Sequence, residues 1–342
     1  RKEDLQPGKV QQKHLLGIVK ELKMNFKPLN DGVALQINDF DIRDIDEESA
    51  EVIKDKLKEH TIVVLKRQDR TPATYTNFVS YIGRIANWNQ FNFDPITGVK
   101  MYAPKDEDGF IEPYDWPNPN TYPVQRVAHK KIDGKPTGIF GSGVLDWHAN
   151  LNGLGRADGV ALQGWTNCEH TSTTWLNTTK VFDDMPKDLF QRCENVYAEY
   201  EYAPEIWAKG LPDDQLYGMM KNRSVYKMWL LQENSSGKKG IYFYTNNKCR
   251  IITNDDKLYG DLYDFMFQEK YMYQHYYEIG DIVLSDQILS LHKRDQNDPE
   301  LLKDRVLHRI TFRLSNTGKP TWCEKYNNID VINSENEGVK YA

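Results

Sequence analysis

Two histidines and an asparagine of this chain are of types that could hold a metal ion, although an H-x-N with a distant histidine also arises by chance. In Leu145-Asp146-Trp147-His148-Ala149-Asn150, His148 and Asn150 are two apart. On a strand, side chains two apart leave the same face, so both can reach one ion. Far downstream, the apolar run Asp281–Ser285 passes through a polar turn to His292. Imidazole suits divalent first-row metals, and a site with few protein ligands leaves positions open for small reactants. A third segment, Arg305–Arg313, alternates. Val306, His308, Ile310, Phe312 and Leu314 fall on one face, and Arg305, Leu307, Arg309, Thr311 and Arg313 on the other. A guanidinium is a planar donor fork matched to carboxylate, so the second face is either solvated surface or the wall of an anion pocket. Spacing alone leaves both readings open.

Such residues need a rigid frame. Val52, Ile53, Lys56 and Leu57 give residues 46–59 a helical face, and Thr61-Ile62-Val63-Val64-Leu65 reads as a buried strand. Thr71-Pro72 is a helix start, with Thr as N-cap and Pro in the first turn, and the apolar spacing persists to Gly83. Residues 103–143 are rich in Pro, Gly, Asp and Asn, and so long an irregular stretch predicts a functional lid. Short strands are expected at Val160–Trp165, Thr173–Asn177, Val225–Leu231, Ile241–Thr245, Asp281–Ser285 and Val306–Leu314, with helices near 185–199 and 256–269. Many short strands between turn signals predict an α+β, mainly β fold, a sandwich or jelly roll flanked by helices.

Several segments, in order, resemble the taurine dioxygenase (TauD/TfdA) family. Leu35–Arg43, Lys58–Leu65, Gln68–Pro72 and Phe78–Gly83 are similar to its N-terminal sheet and helices. Trp147-His148 resembles its W-H-x-D motif, and Gly237–Arg250 its T-G-R-K segment with the following R-I. Tyr276–His292 resembles its W-x-P-G-D, D-N-R and H run, and Arg305–Arg309 its closing arginine and H-R. The resemblance covers about 33–315 of a single domain spanning 1–342, leaving a C-terminal extension over 316–342. It implies a cupin-like double-stranded β-helix and an Fe(II)-, 2-oxoglutarate- and O2-dependent dioxygenase. Such an enzyme decarboxylates 2-oxoglutarate to succinate while oxidising an unactivated C–H bond of a small molecule.

Carried over residue by residue, His148 and His292 match the iron-binding histidines, and Arg305 the arginine for the distal carboxylate of 2-oxoglutarate. Thr173 is the best match to the threonine of that subsite, with Thr174 as its neighbour alternative. Arg309 matches an arginine that in some members binds an acidic group on the substrate. Trp88 and Phe91 stand in the substrate-contacting stretch where taurine-specific members place polar groups, so an apolar, aromatic or cationic substrate portion is expected and taurine is not.

Asn150 departs from the family, standing in the place of its aspartate. Two neutral imidazoles and a carboxylate leave Fe(II) with a local charge of +1, whereas an amide leaves +2. Four readings follow: an Asp→Asn substitution, a natural amide ligand, a position opened for halide as in a halogenase, or a metabolite-binding relative that no longer catalyses. Asp146 is no substitute, with Trp147 between it and His148.

Composition narrows the partners. Lys and Arg number 44 against 50 Asp and Glu, a net charge of −6, with no basic stripe for a phosphate backbone. No apolar run reaches the roughly 18 residues of a membrane span, and residues 1–30 lack a signal-peptide core. The expectation is a cytoplasmic protein with no nucleic-acid or membrane partner, with a homo-oligomer left open. Cys168, Cys193, Cys249 and Cys323 lack C-x-x-C spacing and read as free, mostly buried thiols and not as a zinc site.

Overall fold

The computed structural model describes residues 24–86, 110–111, 123–128, 131–132, 135–136, 138, 145–150, 159–201, 224–234, 236–245, 248–314 and 331–333. The expected jelly roll is present as two facing sheets. The larger runs in the order Asn25–Leu29, Ala34–Asn38, Ile62–Leu65, Ile282–Asp286, Gly159–Thr166, Val306–Arg313, Arg84–Ala86 and Phe110–Ile111. Gln125–Ala128 also joins it, along the first half of Val306–Arg313. The smaller sheet runs Met272–Tyr276, Ser172–Asn177, Ser290–Arg294 and Leu145–His148.

Alternation along the strands builds three cores. From the larger sheet, Val63, Leu65, Ile282, Leu284, Ile310 and Phe312 point outward and bury the apolar faces of two helices. Their neighbours Ile62, Val64, Val283, Leu162 and Leu307 point inward against Trp175 and Tyr277 of the smaller sheet's side. The outer face of the smaller sheet, with Trp147, Leu176 and Leu291, is covered by Val181, Leu189, Leu258 and Leu262 from short helices.

The first outer helix, Glu47–His60, is capped by Asp46, whose carboxylate accepts from the Ser49 N–H while the Ser49 hydroxyl accepts from the Asp46 N–H. Its acidic first turn and basic last turn complement the helix dipole. The second, Pro72–Ile82, starts at the Thr71 cap as expected.

Three expectations need correction. The helix near 185–199 ends at Cys193, and Tyr197–Glu201 is a strand, burying Ala198 and Tyr200 in strict alternation. Over 241–245 only Ile241 belongs to a strand. The chain then turns irregular while Tyr242, Phe243 and Tyr244 stay buried, its backbone N–H groups donating to Leu230 and Trp147 carbonyls. Within the stretch read as a lid, Gln125–Ala128 is a buried strand of the larger sheet, because Val306–Arg309 offers it a free backbone edge. Most of 103–143, like Trp88, Phe91 and Cys323, lies outside the described residues. Cys168 and Cys193 are buried free thiols, and Cys249 is half-buried.

The turn into Ile282–Asp286 is pinned by a buried charge. Gly280 takes φ +88° against the Gln68 backbone, where an added Cβ would collide, so only glycine fits. The next residue, Asp281, is fully buried and accepts hydrogen bonds from Lys66 Nζ and from the N–H groups of Arg67 and Glu278, with His275 Nε2 3.1 Å away. Burial pushes its carboxyl up, but these donors outweigh burial and hold it below the ordinary carboxylate range. A carboxylate so depressed contributes stability above its unfolded pKa, near 4, and loses it as pH falls through the folded value. Asp281→Asn is therefore expected to cost about 3–5 kcal/mol at neutral pH, read from urea unfolding midpoints. The gap between variant and parent should narrow below about pH 4. A cost under about 1 kcal/mol, the size of a surface pair, would show the network to be dispensable.

Candidate metal and anion site

The strand register places the two histidines side by side. His148 and His292 are direct partners across the smaller sheet, with ring centroids 4.2 Å apart. His148 Nδ1 lies 2.7 Å from the Asp146 carbonyl, which can only accept, so Nδ1 carries the proton and Nε2 keeps its lone pair. Burial, opposed by that carbonyl and reinforced by Arg309 and Arg294, pushes His148 down to about 4. Burial, with His148 and Arg309 nearby, holds His292 well below the usual histidine range. Both imidazoles are thus neutral donors, the form a metal takes.

Asn150 sits beside them, and its amide orientation follows from its partners. Arg309 can only donate, and its Nη1 meets the amide at 2.7 Å, so that atom is Oδ1. Nδ2 is then turned to His292 Nε2 at 3.0 Å, where it caps the lone pair. Gln287 Oε1 accepts from the Asn150 backbone N–H at 2.7 Å, and Gln287 is itself oriented by donating to Ser285. Gln125 Oε1 accepts from Arg309 Nε at 3.0 Å and Nη2 at 2.6 Å. The residue in the third ligand place therefore presents its nitrogen toward His292 and its oxygen to Arg309.

These groups border a cavity with about 400 Å³ of free space, counting its open mouth. Its walls include His148, Asn150, His292, Thr173 and three arginines, Arg294, Arg305 and Arg309, with Val127, Leu145, Leu162 and Leu307 between them. No carboxylate lines it among the described residues. The inner face of Val306–Arg313 is thus cavity wall and not solvated surface, and every residue of that strand is buried. Arg305 is buried with Nη1 lacking any hydrogen-bond partner. Thr173 faces the cavity, whereas the Thr174 hydroxyl donates to Asp295 Oδ1 at 2.7 Å, which separates the two threonines. Arg313 lies further along the strand, opposite Arg84, and does not border the cavity. The Asp146 carboxylate is turned away, accepting from Thr245.

The donor set fits a divalent ion on two imidazoles. Two neutral rings with lone pairs at one spot are a partial site, and the amide beside them turns its nitrogen, not its oxygen, toward His292. Accordingly, no group of three His, Cys, Asp or Glu side chains converges among the described residues.

Residue patterns missed Arg294, Gln125 and Gln287. Arg294 follows His292 by two along Ser290–Arg294, so the same-face rule that paired His148 with Asn150 would have found it. Gln287 sits in a turn and Gln125 in a stretch read as irregular, and neither carries a periodic signal.

The chain is similar to known proteins over most of its length. The profile described as Taurine catabolism dioxygenase TauD, TfdA family matches residues 25–311. No curated protein matches the chain. Among solved structures, AAD-2 in complex with Mn(II) and N-oxalylglycine is similar with a TM-score of 0.64 and 17% identity, over 88% of this chain and 99% of that one. A taurine dioxygenase from Burkholderia xenovorans is similar with a TM-score of 0.60 and 14% identity, over 84% of this chain and 89% of that one. At such identities the likeness establishes a shared fold. No helix of the described residues is long and apolar enough to cross a membrane.

Proposed function

Because the chain belongs to the TauD/TfdA family of Fe(II)- and 2-oxoglutarate-dependent dioxygenases, we propose that it hydroxylates an unactivated C–H bond of a small molecule bearing an acidic group. The reading rests chiefly on one observation: two neutral histidines meet at a cavity lined by three arginines and no described carboxylate. His148 and His292 hold the iron through their Nε2 atoms. Arg305 and Thr173 receive the distal carboxylate of 2-oxoglutarate, since a buried guanidinium with an empty Nη1 has no better partner than a carboxylate. Iron and O2 together supply the oxidising power, with 2-oxoglutarate decarboxylated to succinate.

The chain's own part is placement and exclusion of water. Val127, Leu162 and Leu307 make dry walls between the polar groups. Arg309, four residues along the same face from Arg305, is the partner for the substrate's acidic group, which replaces Asn150 or Gln125 as its acceptor. The family resemblance assigns Trp88 and Phe91 to the apolar or aromatic portion of the substrate.

A second reading, halogenation, is favoured by one feature. With the Asn150 oxygen held by Arg309, the iron has no protein anion, and a halide could supply one. Incubation with Fe(II), 2-oxoglutarate and O2, with and without chloride, tests both. Succinate in chloride-free buffer, above a metal-free control, is expected for a hydroxylase. Chloride-dependent succinate with chlorine in the product would select the halogenase. Absence of succinate against a broad panel of small acids would reduce the protein to a binder.

A further inference from the structure

The cavity holds more cationic and donor capacity than one distal carboxylate contact requires. Arg294 is the register partner of Thr173, one same-face step beyond the pairing of His292 with Trp175. That step is about 7 Å along the strand, the reach of a five-carbon dicarboxylate whose other end is at the metal. Arg294 and Arg305 line the same cavity, and both are buried there. Two guanidinium groups in one buried wall make it a favourable place for a carboxylate.

Tyr277 offers a neutral donor from the core behind the cavity wall. Its ring is buried in the core shared with Val127, Leu162 and Leu307, all of which reach the cavity. Its hydroxyl lies beside Thr173 and in the field of Arg305, yet makes no well-formed hydrogen bond. The buried Tyr277 hydroxyl, with at best a loose contact to Thr173, and the buried Arg305 Nη1 are therefore two donors that a ligand carboxylate or ordered water would satisfy.

We infer that Arg294 and Tyr277 are part of the co-substrate site, Arg294 as a second cation for the distal carboxylate and the Tyr277 hydroxyl as a further donor to it. This rests on the proposed placement of 2-oxoglutarate against Arg305. The cradle makes the site selective for a dicarboxylic 2-oxo acid over a monocarboxylic one of equal length.

The test is anaerobic titration of the Fe(II)-loaded protein with 2-oxoglutarate and with 2-oxopentanoate, which lacks the distal carboxylate. Arg294→Gln is expected to weaken 2-oxoglutarate at least tenfold, and the near-isosteric Tyr277→Phe about threefold to fivefold. Neither should change 2-oxopentanoate affinity, a split that a general loss of packing would not produce. If either variant leaves 2-oxoglutarate affinity unchanged, or weakens both acids equally, the inference falls. Arg305→Gln separates the levels: if it also has no effect, the co-substrate placement itself is wrong, whereas a loss confined to Arg305→Gln overturns only the roles of Arg294 and Tyr277.

Discussion

Arg305→Gln is expected to weaken 2-oxoglutarate binding at least tenfold, with succinate production falling in step at limiting co-substrate. Arg305 is buried, desolvation lowers its proton affinity, and its Nη1 has no acceptor. A carboxylate arriving there completes an ion pair whose half-made state costs roughly 3–5 kcal/mol in a protein interior. Part of that cost is recovered because Arg294 remains, so tenfold is the lower bound. Every 1.4 kcal/mol lost is a further factor of ten. Calorimetry on the anaerobic Fe(II) form reads it directly. Unchanged affinity would remove Arg305 from the co-substrate site. Gln is shorter than Arg but leaves a neutral polar amide where the charge was, so a fall in thermal stability should be small, and a large one would signal a structural role instead.

What the sequence made legible was whatever obeys a period. Same-face spacing put His148 and Asn150 on one side of a strand, and alternation separated Arg305, Leu307 and Arg309 from His308, Ile310 and Phe312; the structure turns the first set to the cavity and buries Ile310 and Phe312 against the helices. The capped helices at Glu47–His60 and Pro72–Ile82 were readable because caps are local chemistry. The jelly roll was readable from strand count, and its family from ordered motifs.

What could not be read depends on contacts between distant segments. Gln125 reaches Arg309 across 184 positions, and Gln287 reaches Asn150 across 137. Nothing local distinguishes either glutamine from a surface residue. Tyr197–Glu201 looked helical because its neighbours are. Its alternation was too short to outweigh them until pairing with Ser224–Trp229 and Lys248–Ile252 fixed it as a strand. Arg294 was legible in principle. The same two-residue rule applied at His292 reaches it, but Arg294 matched no family motif.

The orientation of the Asn150 amide sharpens the consequence of its departure from aspartate. A carboxylate has two oxygens, so an aspartate here could accept from Arg309 with one and face the ion at His292 with the other. An amide has one oxygen, and Arg309 holds it at 2.7 Å while the N–H side points at His292 Nε2. Turning the amide around would set an N–H donor against a guanidinium and forfeit the bond to His292. Asn150→Asp is therefore expected to tighten Fe(II) binding by at least tenfold, since it adds an anionic oxygen donor at a divalent ion while keeping the Arg309 contact. If the native reaction is hydroxylation, succinate-coupled turnover should rise with metal occupancy. If it is halogenation, the same change should close the halide position, abolish chloride dependence and divert product toward the alcohol. Iron affinity, succinate yield and product chlorine, measured for parent and variant side by side, decide between these. An Asn150→Ala control separates charge from release of Arg309: alanine frees the guanidinium but adds no donor, so it should not reproduce the gain. Should the aspartate variant bind iron no better than the parent, residue 150 does not face the metal, and the reading of His148 as its neighbour in the ligand set is wrong.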